Sequence, residues 1–230
     1  MSNPEVPVLT LDGPSGAGKG TVAGLLSKRL NWHLLDSGAI YRVLAVIAER
    51  AAVAMGDVES LIDITHSMTV TLQVDEHGKS QVLLDGADVT ASIRSEACGE
   101  RASEVAALPA VRQALLQCQR EFHRPPGLVA DGRDMGTVVF PDAIVKIYLT
   151  ASAEERAYRR YKQLMEQGIS GNLIALLEDI NARDERDRTR AVSPLIPASD
   201  AIIVDTTGKP VEAVVDLVLS QVRRHVIFAD

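Results

Sequence analysis

Gly13-Pro14-Ser15-Gly16-Ala17-Gly18-Lys19-Gly20-Thr21 is the stretch on which the reading of this chain turns. Ahead of it, Val6-Pro7-Val8-Leu9-Thr10-Leu11-Asp12 is a short apolar run of strand character. Behind it, Val22, Ala23, Leu25, Leu26 and Leu30 recur at helical spacing, and Asn31 stands where such a helix stops. Glycine lets the backbone curl so that successive N–H groups point into one concavity. The helix N-terminus adds partial positive charge, and Lys19 supplies a mobile cation for outer phosphates. Gly13 through Thr21 is therefore expected to cradle a nucleoside triphosphate. The common pattern places Ser or Thr directly after the lysine. Here Gly20 intervenes and the hydroxyl comes at Thr21, which leaves its usual role toward Mg²⁺ open.

Composition narrows the classes. The chain has 230 residues, 46% hydrophobic and 24% charged, enough for one large domain or a core with an insertion. A net charge of −7 argues against broad binding to nucleic acid, which needs a basic surface. Only six of the 24 basic residues are lysine. That arginine excess suits bidentate recognition of phosphate and carboxylate, and GC-rich codon usage gives the same skew. Cys98 and Cys118 lack metal-ligand spacing and read as thiols in a reducing compartment. Met1-Ser2-Asn3-Pro4-Glu5 does not resemble a secretory leader, and no apolar run is long enough to span a membrane. A cytoplasmic monomer without membrane or nucleic-acid partners is expected.

Along the chain, Trp32–Asp36 reads as a second buried strand, followed at Ser37 by a helix with Ala39, Ile40, Val43, Leu44, Val46 and Ile47 on its apolar face. Tyr41 and Arg42 lie in its first turns, where Arg42 is either an anion ligand or a solvated helix arginine. A helix is expected over 57–68. Thr69–Val74 then alternates with period two, Asp75–Lys79 turns, Ser80–Leu84 runs back, and Asp85-Gly86 turns again. This antiparallel hairpin does not fit a parallel sheet and reads as an insertion over about 69–95. Helices near 93–106 and 109–123 follow, carrying Arg94, Arg101, Ser103, Arg112 and Arg120.

Leu128–Asp131 is a third core strand, capped by Asp131-Gly132-Arg133-Asp134. Two carboxylates and an arginine at a strand's carboxyl end suit a metal's water shell, a substrate amine or a salt-bridged turn. Ala143–Leu149 is strand-like, and Ser152 with Glu155 suggests a capping box for a helix bearing Arg156, Arg159 and Arg160 on nearly one face. Gly168-Ile169-Ser170-Gly171 breaks it. The next helix, about 173–190, places Arg183, Asp187 and Arg190 on one face. It is either a solvated helix with i,i+4 ion pairs or part of a mobile cationic lid over polyphosphate. Ala201–Asp205 is the last strand, and an amphipathic helix closes the chain. Five buried strands alternating with helices predict an α/β P-loop three-layer fold: a five-stranded parallel sheet, a helical lid and a small antiparallel β insertion.

A phosphate loop specifies a nucleotide and no reaction. The Asn-Lys pair of a guanine reader is absent from the sequence, and Leu128–Asp131 fits a hydrolytic motor only loosely. A small kinase must hold two phosphates in line, neutralise charge and exclude water. Many arginines and a lid meet that need. A kinase for another small acceptor and a nucleotide-dependent binding protein remain as alternatives.

Gly13 to Thr21 resembles the loop of nucleoside monophosphate kinases. Leu35-Asp36-Ser37-Gly38-Ala39-Ile40-Tyr41-Arg42, Ala130–Thr137 and Arg183–Arg190 resemble the bacterial cytidylate kinases, with likeness from about residue 6 to 220. The resemblance implies ATP-dependent phosphorylation of CMP and dCMP with Mg²⁺. By position, Ser37, Arg42, Arg133 and Arg190 would hold the CMP phosphate. Ser103, Arg112 and Asp134 would read cytosine, and Arg183 and Asp187 would meet the sugar. Tyr41 and Asp131 would line the acceptor pocket. Arg156 and Arg160 would join the loop around ATP, and Lys19, Arg133, Arg190 and Arg159 would act on the transferring phosphate. Asp36 and Asp131 are candidates to order Mg²⁺ through its waters, with no direct protein ligand assigned. One domain is expected: core 5–68, 107–150 and 195–230, the insertion with helices to 106, and a lid over 151–194.

Overall fold

The computed structural model describes residues 6–75, 79–166 and 168–226. Met1–Glu5, read above for a leader and a core boundary, and Glu76–Gly78 of the hairpin turn lie outside them. The main sheet contains β1 (Val8–Asp12), β2 (His33–Asp36), β6 (Leu128–Asp131), β7 (Val145–Thr150) and β8 (Ile202–Asp205). They lie in the order β2-β6-β1-β7-β8, and every pairing is parallel. Alternate side chains therefore feed two cores. Leu9, Leu11, Leu34 and Val129 pack under α1 (Lys19–Leu30) and α8 (Val211–His225). Val8, Leu35, Leu128 and Ala130 pack under α2 (Ser37–Arg50), α3 (Val58–Ser67) and α5 (Pro109–Arg120). Parallel strands covered on both faces need such continuous apolar runs.

Local chemistry sets the element ends. Asn31 takes φ 53° and closes α1. Asp36 accepts from the Ala39 N–H at 2.9 Å and caps α2, and Asp57 caps α3 in the same way. The insertion is a three-stranded antiparallel sheet of β3 (Val70–Val74), β4 (Ser80–Leu84) and the short β5 (Ala87–Asp88). Its second turn is Asp85-Gly86, both at positive φ, as a two-residue hairpin requires. Val82, Leu84, Val89 and Ile93 seat it on Ala39, Val43 and Val46 of α2. It is joined to the core through α4 (Glu96–Val105).

α6 (Ala153–Glu166) and α7 (Leu173–Thr189) form a helical pair packed on a small core of Ala157, Leu164 and Leu176. Two expectations need correction here. Ser152 Oγ accepts from the Glu155 N–H at 3.2 Å, but the reciprocal half of the capping box is not made. The Ser152 N–H donates to Thr207 Oγ1, while the Glu155 carboxylate takes Arg159. Nor is α7 a solvated helix of i,i+4 pairs. Asp184 and Asp187 are buried and pair with Arg156 and Arg133 on other elements.

Candidate active site

The carboxyl ends of β1, β2 and β6 meet where the strand order changes direction, the usual ligand position in an open α/β sheet. From β1 comes the Gly13–Thr21 loop. Gly13 stands at φ 143°, and a Cβ there would lie 2.0 Å from the Leu149 carbonyl oxygen, so β7 admits only glycine. Gly18, at φ 87°, turns the loop into α1. Lys19 is buried, and its Nζ donates to the Pro14 carbonyl at 2.9 Å. β2 and β6 end on Asp36 and Asp131, which are register partners. Asp131 Oδ1 lies 4.0 Å from Lys19 Nζ. Burial holds Lys19 down, to about 7, with repulsion from Arg133 adding to it. Burial likewise pushes Asp131 up, and the Asp36 charge adds to that shift.

A cleft of about 310 Å³ opens over these groups, lined by Lys19, Gly20, Thr21, Asp36, Arg42, Arg94, Asp131, Arg133 and Arg183. It continues through Gly38, Arg133 and Arg183 into a second pocket. There Ser37, Tyr41, Ser103, Arg112, Asp134, Asp187 and Arg190 converge from α2, α4, α5, the segment after β6, and α7 with the residue that follows it. Arg112 and Asp134 form a buried ion pair, and the guanidinium lies 5.5 Å from the centre of the Tyr41 ring. Arg133 Nε donates to Asp187 Oδ2 at 3.0 Å, and Arg190 Nη1 lies 3.7 Å from Asp187 Oδ1. Burial opposes ionisation of Asp187, but Arg133, Arg183 and Arg190 outweigh it and hold the carboxyl low. Burial and Arg133 lower Arg183 to about 10, and burial pushes the Tyr41 hydroxyl up to about 12.

Five buried polar atoms around this pocket have no hydrogen-bond partner within the protein: Tyr41 Oη, Ser103 Oγ, Arg112 Nε, Arg183 Nε and Arg190 Nη2. Each such group costs about 1–3 kcal/mol while unpaired. Their convergence on one concavity is the signature of a polar ligand. The oxygen donors Asp36 and Asp131 fit a divalent cation of the Mg²⁺ type. Such an ion keeps several waters and takes one or two carboxylates beside phosphates.

The three arginines of α6 do not share one target. Arg156 is buried and fully engaged. Its Nε donates to the Ala151 carbonyl and its Nη1 to the Ser15 carbonyl at 3.0 Å, while both Nη atoms bond Asp184. Arg159 donates to the Thr206 carbonyl at 2.6 Å and to Thr206 Oγ1. Arg160 crosses to Glu96 on α4. The spacing that aligns their Cα atoms does not align long side chains.

Sequence reasoning missed several groups that complete the site. Gln119 accepts from the Ser37 hydroxyl at 2.8 Å. Asp184 holds Arg156. On the far side of the loop, Thr206, Gly208, Lys209, Pro210 and Val211 line a cleft with Gly16, Gly18 and Arg159. That turn follows β8, so the carboxyl-end rule alone would have singled it out. Gln119 and Asp184 left no local signal, because their partners are 82 and 28 residues away.

Comparison with known proteins gives the family. Residues 9–224 match the family model described as cytidylate kinase. A protein named cytidylate kinase from Pseudomonas paraeruginosa is 58% identical over 219 residues, covering 94% of this chain and 95% of that protein. One of the same name from Pseudomonas aeruginosa is 56% identical over 225 residues, covering 97% and 98%. Another from Sodalis glossinidius is 54% identical over 218 residues, covering 95% and 96%. With a glycine-rich loop, a polar pocket beside it and this likeness over nearly its whole length, the chain belongs to the cytidylate kinase family.

Proposed function

We propose that the chain transfers the γ-phosphoryl group of ATP to CMP, giving ADP and CDP, and accepts dCMP as well. The observation that carries this reading is the buried Arg112–Asp134 pair. It sets a cation donor and an anion acceptor side by side, the complement of cytosine's N3 and O2 acceptors and its N4 amine. Uracil presents O4 in place of the amine, so Asp134 would face an acceptor. Leaving those groups unpaired costs about 1–3 kcal/mol, or roughly fivefold to 150-fold.

In this reading the Gly13–Thr21 backbone and Lys19 hold the outer phosphates of ATP. The cleft beyond the loop, lined by Thr206, Lys209 and Pro210, takes the nucleoside end. Ser37, Arg42, Arg133 and Arg190 hold the CMP phosphate, Ser103 joins Arg112 and Asp134 on the base, and Arg183 and Asp187 meet the sugar. Tyr41 walls the pocket. Arg159 and Arg160 act from the lid, while Arg156 positions the loop through Ser15. Catalysis here is placement plus charge neutralisation, since phosphoryl transfer asks little covalent chemistry of the protein. When bound, Mg²⁺ neutralises charge on the phosphate oxygens, and Asp36 and Asp131 would hold its waters.

One domain does this work, with the core at 5–68, 107–150 and 195–230, an acceptor-side insertion near 69–95 with helices to 106, and a lid near 151–194. In this reading the protein acts as a monomer. Among the described residues no helix is long and apolar enough to cross a membrane. The substrates, and the two free cysteines, fit a cytoplasmic setting. The test is a coupled assay with ATP against CMP, dCMP, UMP, AMP and shikimate. Steady turnover of CMP and dCMP well above the other three supports the proposal. Preference for another acceptor, or nucleotide binding without turnover, overturns it.

A further inference from the structure

Asp12 is the last residue of β1, directly ahead of Gly13, and it lines neither of the clefts described above. It is 4% exposed. Its two carboxylate oxygens are both used. Oδ1 accepts from the Met135 N–H and Oδ2 from the Gly136 N–H, each at 2.8 Å. Those two N–H groups open the short helical turn Met135–Val139. The turn's own backbone bonds run back to Asp134 and Met135, including wide i→i+5 bonds from Val139 and Phe140. Without Asp12 the turn's first two donors would be buried and unpaired.

The residues just ahead of that turn are Arg133 and Asp134. One is bonded to Asp187, the other to Arg112. Gly136 locks the geometry from the other side. A Cβ on it would come within 2.9 Å of Thr10 Oγ1 and 3.3 Å of Asp12 Oδ2, so the turn lies flat against β1. Burial pushes the Asp12 carboxyl up to about 6, against the pull of the two N–H groups. At neutral pH it is the ionised form, with two acceptors for two donors.

We propose that Asp12 is a positioning residue for the acceptor nucleotide, holding Arg133 and Asp134 in register from the strand that launches the donor loop. Base discrimination then depends on a carboxylate that does not touch the base. This rests on the CMP reading above. If the unmodified protein fails to phosphorylate CMP, that reading falls. If it succeeds, the variants below judge this inference alone.

The test is Asp12→Asn, which keeps the shape and one acceptor but sets a second N–H donor against the Gly136 or Met135 N–H. The expected result is a rise of about tenfold in KM for CMP and a similar fall in the preference for CMP over UMP. KM for ATP should stay within about twofold. Gly136→Ala pushes the same turn away from β1 and should give the same signature. It also serves if Asp12→Asn does not fold. An unchanged CMP-to-UMP ratio, or equal loss for both substrates, would mean that Asp12 only stabilises the fold and would overturn the proposal.

Discussion

In the proposed reading, the donor loop and the acceptor pocket solve the same problem, binding phosphate, in opposite ways. The loop presents its backbone N–H groups and Lys19 from one contiguous stretch, braced from outside by α6 and the turn after β8. Its carbonyls at Pro14, Ser15 and Ala17 are taken by Lys19, Arg156 and Thr206. The acceptor pocket draws on α2, α4, α5, the segment after β6 and the end of α7, and leaves buried donors at Ser103, Arg112, Arg183 and Arg190 without partners in the protein. A triphosphate is common to many nucleotides, so one contiguous loop with backbone donors is enough. A particular base needs side chains aimed from several directions, and those come from parts of the chain far apart in sequence.

Three measurements probe that contrast. Lys19→Ala should lower kcat by about 10²–10³-fold, the usual cost of removing a preorganised charge from a transferring group. The circular dichroism spectrum and melting point should change little. Near-normal turnover would mean that the loop's cation is dispensable and the donor side is more redundant than its geometry suggests.

Asp134→Asn should act on the other half alone. It should lower kcat/KM for CMP by about 10–100-fold, narrow the gap to UMP and leave KM for ATP in place. Loss on the ATP side instead would show that the two regions are one functional unit.

A smaller effect comes from Lys19 itself. Burial and Arg133 hold its pKa well below that of a free lysine, so it loses its proton closer to neutral pH. Bound polyphosphate favours the ammonium and raises its pKa, and Asp131 shifts the same way. Binding of ATP should therefore take up a proton, on the order of half a proton per site. Affinity should fall as pH rises above about 7. Calorimetry in two buffers of different ionisation enthalpy reads this directly, and Lys19→Met should remove most of it. Proton release on binding would contradict the assignment.

The same contrast explains what was legible in the sequence. The β1–loop–α1 unit is local: glycine positions, flanking apolar runs and Asn31 are all within about 25 residues, and each element formed where its periodicity predicts. The Asp-Gly hairpin turn was legible for the same reason. The acceptor pocket was not legible from spacing, since nothing in α5 alone distinguishes Arg112 from Arg120. Resemblance to a family supplied that choice. The α7 charges were misleading on spacing alone, because the hydrogen-bonded partners of Asp184 and Asp187 are arginines on α6 and after β6, with Arg190 3.7 Å from Asp187 as a further neighbour. The turn at Met135–Val139 left no helical pattern, because its start is fixed by Asp12 from a different strand.

The placement of Asp184 and Asp187 on α7 has a thermodynamic consequence. One carboxylate reaches, through Arg156, the Ser15 carbonyl of the donor loop; the other, through Arg133, reaches the acceptor segment. A ligand that orders either end biases the position of the same helix. Linkage then requires reciprocity: if CMP tightens the hold on ATP by some factor, ATP must tighten the hold on CMP by that same factor. The two equilibrium constants, each measured with and without the other nucleotide's unreactive analogue, form a closed cycle.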